Sequence, residues 1–398
     1  MISEKDAETL FALQERYRVT EMTRYTCNHQ VLQNVLRRIA GGPAVSATLT
    51  ERGHSLEGRN ITMASFGNGP VEVLLWSQMH GDEPTATLAI VDILQFLAEH
   101  ARTDGWVQEI MRRSTVRFLP MLNPDGAERG QRQTAVHIDV NRDAGALASP
   151  EARILKRAHE EFRPAFGFNL HDQELSSAGN TPSVAAVSLL APAPDVLQSR
   201  TPVRIRAMKI GAVVASSLKY FVAGHIATYA DTHEPRAFGD SMQAWGTSTL
   251  LIESGHWRGD PAKEFIRRLN FVGILSALRS IAEDSFHQAD LGQYENLQPN
   301  GKRLFDVILH GLMLHHPGGW SHSVDVGLMG VPGSEEPGGD GTGRYRRMVV
   351  KEIGDLSTCA ALAQIEALGC ALPHTGISID QVVSPPELLR LLGLNGLT

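Results

Sequence analysis

Between residues 71 and 282 the chain alternates short, mostly apolar runs with longer amphipathic ones, and this alternation restricts the possible fold more than any other feature. "VEVLLWSQM" is almost continuous in Val, Leu and Trp, the texture of a strand buried on both faces. Pro84 comes next, well suited to the first turn of a helix, and "TATLAIVDILQFLAEH" carries that helix to about His100. "TVRFLPML", "VHIDV", "AFGFNLH", "SVAAVSLLAP" and "TSTLLIES" read as further strands. Between them lie helices at "SPEARILKRAHEEF", capped by Ser149 with Pro150 at its first position, at 201–219, and at "PAKEFIRRLNFVGILSALRSIAED". The expected fold is α/β, a mixed central β-sheet flanked by helices.

Both flanks have a different texture. Leu10, Leu13, Tyr17, Val31, Val35 and Leu36 recur at helical spacing, so 3–40 reads as helical and 1–44 as a helical segment packing on the main domain. "SATLTERG" and "RNITMASFG", separated by "GHSLEGR", read as a hairpin. Near 285–302 the polar, turn-rich "LGQYENLQPNGK" reads as a linker. Beyond it "LFDVILHGLMLHH", "SHSVDVGLMG" and "RRMVVKEIGDL" read as short strands, with a Gly/Pro-rich loop at 331–343 expected to be mobile. A short helix is expected near "SPPELLRLLGL". The main α/β domain is therefore expected over 45–290 and a small β-rich C-terminal domain over 300–398.

Composition serves mainly to exclude. A net charge of −7 lacks the concentrated cationic face that nucleic acid requires. No run approaches the ~18–20 apolar residues of a membrane helix. The first residues, MISEKDAETLFALQERY, carry charge of both signs and no apolar core of signal-peptide length. Cys27, Cys359 and Cys370 are odd in number, without CxxC spacing, which excludes a disulfide scaffold or a cysteine zinc knuckle. A cytoplasmic protein with no nucleic-acid or membrane partner is expected.

In open α/β sheets, active sites gather at the carboxyl ends of strands. Four such junctions carry capable residues: His80 and Glu83, Asn141 and Arg142, His171, and Glu253. Two imidazoles and one carboxylate form a common ligand set for hydrolytic zinc, with a fourth position left for water. Among 16 histidines a lone H-x-x-E arises by chance, but His80, Glu83 and His171 together at strand ends are a more demanding coincidence. Glu253 comes after a run of apolar residues and needs a task or a partner: general base, or a salt bridge to a nearby arginine. "LNPDGAERGQRQTAVHIDVNRDA" packs Arg129, Arg132, Asn141 and Arg142 into one stretch, able to clamp a carboxylate or face an oxyanion. The alternative is a solvated, charge-rich loop, which suits Arg129 best. His315 beside His316 in "LHHPGG" reads as a hairpin turn rather than a second metal site.

These motifs together resemble the zinc metallocarboxypeptidase family, the carboxypeptidase A-like M14 peptidases. The family order is matched by "HGDE" at 80–83, "NPDG" at 123–126, Arg132, "DVNR" at 139–142, "NLHDQ" with His171, and "IESG" with Glu253, across roughly 45–285. The resemblance implies one Zn²⁺ held by His80, Glu83 and His171, with Asp139 orienting His80. It implies Glu253 as general base, Arg132 supporting the oxyanion, and Asn141 and Arg142 holding the carboxylate of a peptide substrate. The family carries a loop tyrosine some twenty residues before the glutamate. Here Tyr229 comes slightly early, leaving Tyr229, His233 and Arg236 as candidates for that substrate contact. Asp240 is either a determinant favouring a basic side chain or a structural carboxylate. Two other readings stay open: an amidase or deacylase acting on N-acyl amino acids or cell-wall peptides, and a non-catalytic binding protein.

Overall fold

The computed structural model describes residues 3–42, 47–179, 181, 183–301, 304–337, 344–367, 370–373 and 377–383. They form two compact units. One comprises Met1–Glu174 and Ala185–Asn300, the other Leu175–Val184 and Gly301–Thr398. The segment Leu175–Val184, expected within the main domain, therefore clusters with the C-terminal strands.

The first unit opens with helices α1 (Glu4–Tyr17) and α2 (His29–Ala40). The continuous helical reading of 3–40 is corrected here, because 18–28 is irregular and pinned by side chains. Asp92, fully buried, accepts from the Val19 N–H and the Gln14 amide and pairs with Arg267, which also donates to the Val19 and Met22 carbonyls. These bonds satisfy backbone groups that a helix would otherwise use.

The hairpin comes next as β1 (Ala47–His54) and β2 (Asn60–Phe66), antiparallel, then β3 (Val71–Ser77), α3 (Thr85–His100), α4 (Gly105–Arg113), β4 (Ser114–Leu119) and α5 (Pro124–Arg129). After these come α6 (Pro150–Phe162), β5 (Phe166–Asp172), the short β6 (Ser177–Ala178) of the second unit, β7 (Val187–Leu190), α7 (Pro202–Val222) and β8 (Ile226–Thr228). The unit ends with α8 (Phe238–Ala244), β9 (Ser248–Ser254), α9 (Glu264–Ala282), α10 (Gly292–Glu295) and β10 (Gln298–Gly301). Within this unit the strand order is β1-β2-β4-β3-β5-β9-β7-β8-β10. Neighbours β4, β3, β5 and β9 run parallel, whereas β7 is antiparallel to β9, so the sheet is mixed.

Period-two alternation sends side chains to opposite faces. Phe166, Phe168 and Leu170 of β5 join Val73, Leu75, Leu250 and Ile252 in the larger core, against α3, α7 and α9. Leu74 and Trp76 face the other way, onto Ala152, Ile154 and Leu155 of α6 and Phe238 and Met242 of α8. By the same register His171 and Glu253 share this second face. Helix α3 is buried at almost every position from Thr85 to Ala98, as a helix enclosed on all sides must be.

Three local expectations are corrected. "VHIDV" is not a strand: Thr134 Oγ1 accepts from the Ile138 N–H, and Asp139 caps a 3₁₀ turn at Val140–Arg142 through the Asn141 N–H. These side-chain bonds offer the backbone an alternative to a sheet ladder. "LGQYENLQPNGK" is packed rather than a linker, since the Tyr294 hydroxyl accepts from the Ala191 N–H at 2.8 Å and β10 pairs with β8. Of "SVAAVSLLAP", only Val187–Leu190 forms the paired strand β7.

The second unit is a sheet of β11 (Leu304–His315), β12 (Ser321–Pro337), β13 (Arg344–Gly354), β14 (Ala360–Glu366), β15 (Ala371–Pro373) and β16 (Val382–Val383). Its order is β14-β11-β12-β13-β16, with β15 beside β11, around Leu309, Leu312, Val326, Leu328 and Val350. His315 and His316 sit at the β11–β12 turn, closed by the His316 N–H to the Trp320 carbonyl. Residues 331–337, expected as loop, are strand; 338–343 and the helix expected at 384–394 lie outside the described residues.

Candidate metal centre and active site

The chain leaves β3 through Gln78, whose left-handed backbone (φ 50°) turns it out of the sheet. The turn is braced from two sides: Gln78 Nε2 donates to the Gly81 carbonyl, and the Asn123 N–H donates to the Gln78 carbonyl. Asn123 also donates from Nδ2 to the Met79 carbonyl and caps α5 by accepting the Gly126 N–H. A Cβ on Gly81 would stand 2.0 Å from the Gly126 carbonyl carbon, so only glycine lets this corner meet α5. "NPDG" is therefore a brace. Its Asp125 is fully buried, accepting from Ser55 Oγ and the Glu57 N–H and pairing with Arg59.

On this corner His80 and Glu83 face His171 from the end of β5. His80 Nδ1 lies 2.7 Å from Glu83 Oε1, His171 Nδ1 lies 2.8 Å from Glu83 Oε2, and the two Nδ1 atoms are 3.1 Å apart. One donor atom from each residue falls within 4.8 Å of the others, and all three side chains are buried. Two imidazole nitrogens this close cannot both present lone pairs without a cation or a proton between them. Two nitrogens and a carboxylate oxygen suit Zn²⁺, whose bonds to such atoms are about 2.0–2.2 Å.

The outer ring nitrogens are also engaged. His80 Nε2 meets Asp139 Oδ1 at 3.1 Å, and His171 Nε2 stands 3.5 Å from Asn141 Nδ2. Arg132 bridges the two acids, at 3.1 Å from Asp139 Oδ2 and 3.3 Å from Glu83 Oε1. Burial opposes charge on His80, but the Glu83 carboxylate and the Asp139 hydrogen bond outweigh it and hold its pKa up at about 9. Burial would raise Glu83; the two imidazoles beside it hold it well below the usual carboxylate range.

Glu253, on β9, is paired in register with His171 of β5 and is 6% exposed. Burial, and then the charge of Glu83, push its pKa well above the ordinary value. His80, Asp172 and Lys263 also bear on it. Tyr229 lies in the same field: burial, then the charges of Glu253 and Glu83, raise its phenol to about 12.

The other expected residues have partners of their own. Arg142 is 41% exposed in its side chain, with its guanidinium on the Asn141 carbonyl and 3.6 Å from Glu234. The Asn141 side chain is engaged internally, accepting the Phe238 N–H at 3.0 Å. His233 lies against Asp240 and the Ala193 carbonyl, and Asp240 also accepts the Glu234 N–H, which makes it a loop brace. Arg236 pairs with Glu234 at the surface. Arg129, with its side chain 40% exposed, binds Glu57. Asp172 and Lys263, which lie directly behind the site, escape the sequence reading; the acid next to His171 in "NLHDQ" is the available signal.

Residues 32–171 match the zinc carboxypeptidase family of M14 peptidases. Carboxypeptidase 2 of Trichophyton rubrum is 27% identical over 153 residues, which is 36% of this chain and 28% of that one. Human carboxypeptidase Z is 28% identical over 140 residues, 30% of this chain and 22% of that one. The chain thus spans less than a third of the length of these curated relatives. A metallo-carboxypeptidase structure from Burkholderia cenocepacia aligns with a TM-score of 0.50 at 19% identity, covering 64% of this chain and 68% of the other. Bovine thrombin-activatable fibrinolysis inhibitor aligns with a TM-score of 0.53 at 11% identity, covering 67% and 99%. At these identities the likeness is one of fold, and the fold is that of the carboxypeptidases.

Proposed function

We propose that this chain is a zinc-dependent carboxypeptidase that releases the C-terminal residue of a peptide. The observation that carries the reading is the placement of Glu253 beside His171, next to the donor set of His80, Glu83 and His171. Zinc held there would supply Lewis acidity, lowering the pKa of a water and polarising the scissile carbonyl.

The chain's own residues divide the remaining work. Asp139 fixes the ring of His80 through Nε2, leaving Nδ1 to face the centre. Glu253, beside His171 at the end of the neighbouring strand, takes a proton from the attacking water and passes it to the leaving amine. Arg132, paired with Asp139 and reaching Glu83, presents positive charge where the oxyanion develops. Arg142, its guanidinium partly exposed, holds the substrate's terminal carboxylate. Asn141, tied to Phe238 and beside His171, supports the ring more than the substrate. Tyr229, already in the field of Glu253 and Glu83, is favoured over His233 and Arg236 for the remaining substrate contact, because those two are engaged with Asp240 and Glu234.

The test is release of single amino acids from peptides with a free C-terminus by the zinc-loaded protein. If blocking that terminus as an amide leaves the rate unchanged, the carboxypeptidase reading fails.

A further inference from the structure

Lys263 is only 3% exposed and has no part in the roles assigned above. It stands immediately before α9 in a left-handed backbone conformation, φ 55°, which is rare for a residue with a Cβ. That conformation turns its side chain back toward the sheet, where Nζ donates to Asp172 Oδ2 at 3.1 Å and to the Ser254 carbonyl at 3.0 Å.

The two acceptors are informative by their positions. Asp172 directly follows His171, Ser254 directly follows Glu253, and the two pairs lie in register across β5 and β9. One ammonium group thus ties the residue after a metal-donor histidine to the residue after the acid proposed as base. The connection reaches further, because the Asp172 N–H donates to Glu83 Oε2 at 3.1 Å. The Asp172 carboxylate is itself fixed by Thr85 Oγ1 at 2.6 Å and by Arg24 at 3.5 Å. Removal of one partner from such a buried ionic cluster leaves charge that solvent cannot readily compensate.

We propose that Lys263 is a positioning residue: it holds the end of β9 against the end of β5, so that the Glu253 carboxylate and the Glu83 ligand keep their spacing around His171. Misplacement of a reacting group by about 1 Å can cost on the order of 100-fold in rate. The kinetic consequence rests on the carboxypeptidase reading; the consequence for the metal donors does not.

The test compares Lys263→Met and Lys263→Arg with wild type in the full, zinc-loaded chain. Two quantities are read: kcat and KM on a peptide, and the rate of zinc release to a chelator. Lys263→Met is expected to lower kcat about 10- to 100-fold and to speed zinc release about 10-fold. KM stays within about threefold, the pattern of a loss confined to the reacting step. Lys263→Arg, which restores the cation, recovers most of both losses. A variant that melts at lower temperature while kcat and zinc release match wild type overturns the proposal and leaves Lys263 a stabilising residue. Should Lys263→Met fail to fold, Asp172→Asn removes the partner's charge instead, with the same expected and overturning results. If wild type itself cleaves no peptide, the functional reading has failed, and zinc release alone decides the role of Lys263.

Discussion

His171 and Glu253 stand side by side, in register on adjacent parallel strands, both directed to the face of the sheet covered by α6 and α8. The pairing puts a buried acid next to a histidine of the candidate donor set without any long or flexible segment between them. Sites built on strands hold their geometry better than sites built on loops. The register of the sheet therefore places the proposed base beside His171.

This relationship yields the most direct prediction. Glu253→Gln keeps the shape of the side chain and removes its basicity, so kcat should fall about 10²- to 10⁴-fold. Zinc content should stay at that of wild type. His315→Ala, at the turn of the second unit, should leave kcat unchanged. Kinetics and metal analysis on the same preparations check both statements.

Metal content provides an independent measurement. Purified protein should carry one zinc per chain; chelation should abolish turnover and added zinc should restore it. Glu83→Ala and His171→Ala should lose the metal outright. Asp139→Ala, which frees the far nitrogen of His80, should weaken zinc affinity about 10- to 100-fold. Unchanged affinity in Asp139→Ala would show that the 3.1 Å contact does not orient the ring.

The proposed function assigns substrate anchoring mainly to Arg142. Charge-assisted hydrogen bonds contribute about 1.5–3 kcal/mol, so Arg142→Ala should raise KM about 10- to 100-fold. The variant should also become indifferent to amidation of the substrate's terminus, to which wild type is sensitive. Paired kinetics on free and amidated peptides reveal this loss of discrimination.

Glu151 predicts a pH dependence away from the metal centre. It is fully buried near the start of α6. Burial, then the nearby charges of Asp125 and Asp143, push its pKa up to about 7. Between the unfolded value of about 4.3 and the folded value of about 7, the folded protein binds more protons than the unfolded one. Stability should therefore fall as pH rises through this window and level off above it. The stability difference of Glu151→Gln from wild type should shift in favour of the variant by about 2–3 kcal/mol from pH 5 to pH 8. Denaturant melts at the two pH values measure that shift.

Gly81 provides a packing test. A methyl group there meets the Gly126 backbone at 2.0 Å, so Gly81→Ala must push the His80 corner away from α5. Overpacking of this kind costs about 1–3 kcal/mol. Because the displaced segment carries two of the three proposed ligands, zinc affinity should fall together with the melting temperature. A stable variant with full zinc affinity would show that the corner is looser than the contact indicates.

Ser149 and Pro150 open α6 as their types require, with Ser149 Oγ accepting the Ala152 N–H. The β1–β2 hairpin and the β11–β12 turn obey the alternation and turn residues around them. His80, Glu83 and His171 could be read because each lies at the end of an apolar strand, and chemistry at such an end is conspicuous. "VHIDV" misled for the opposite reason: its alternation is that of a strand, but single bonds from Thr134 and Asp139 closed it into turns. "LGQYENLQPNGK" misled because its polarity hides one well-placed tyrosine, Tyr294.

What the sequence determined by itself was local: where helices and strands lie, which residues cap them, and which side chains could hold a metal. Periodicity and capping act over a few residues, so they leave a mark in any short window. Only the tertiary structure decided that β9 lies next to β5, which sets Glu253 beside His171 and brings Lys263 behind both. Strand order is settled by long-range burial across the whole sheet, and no short stretch of chain encodes it.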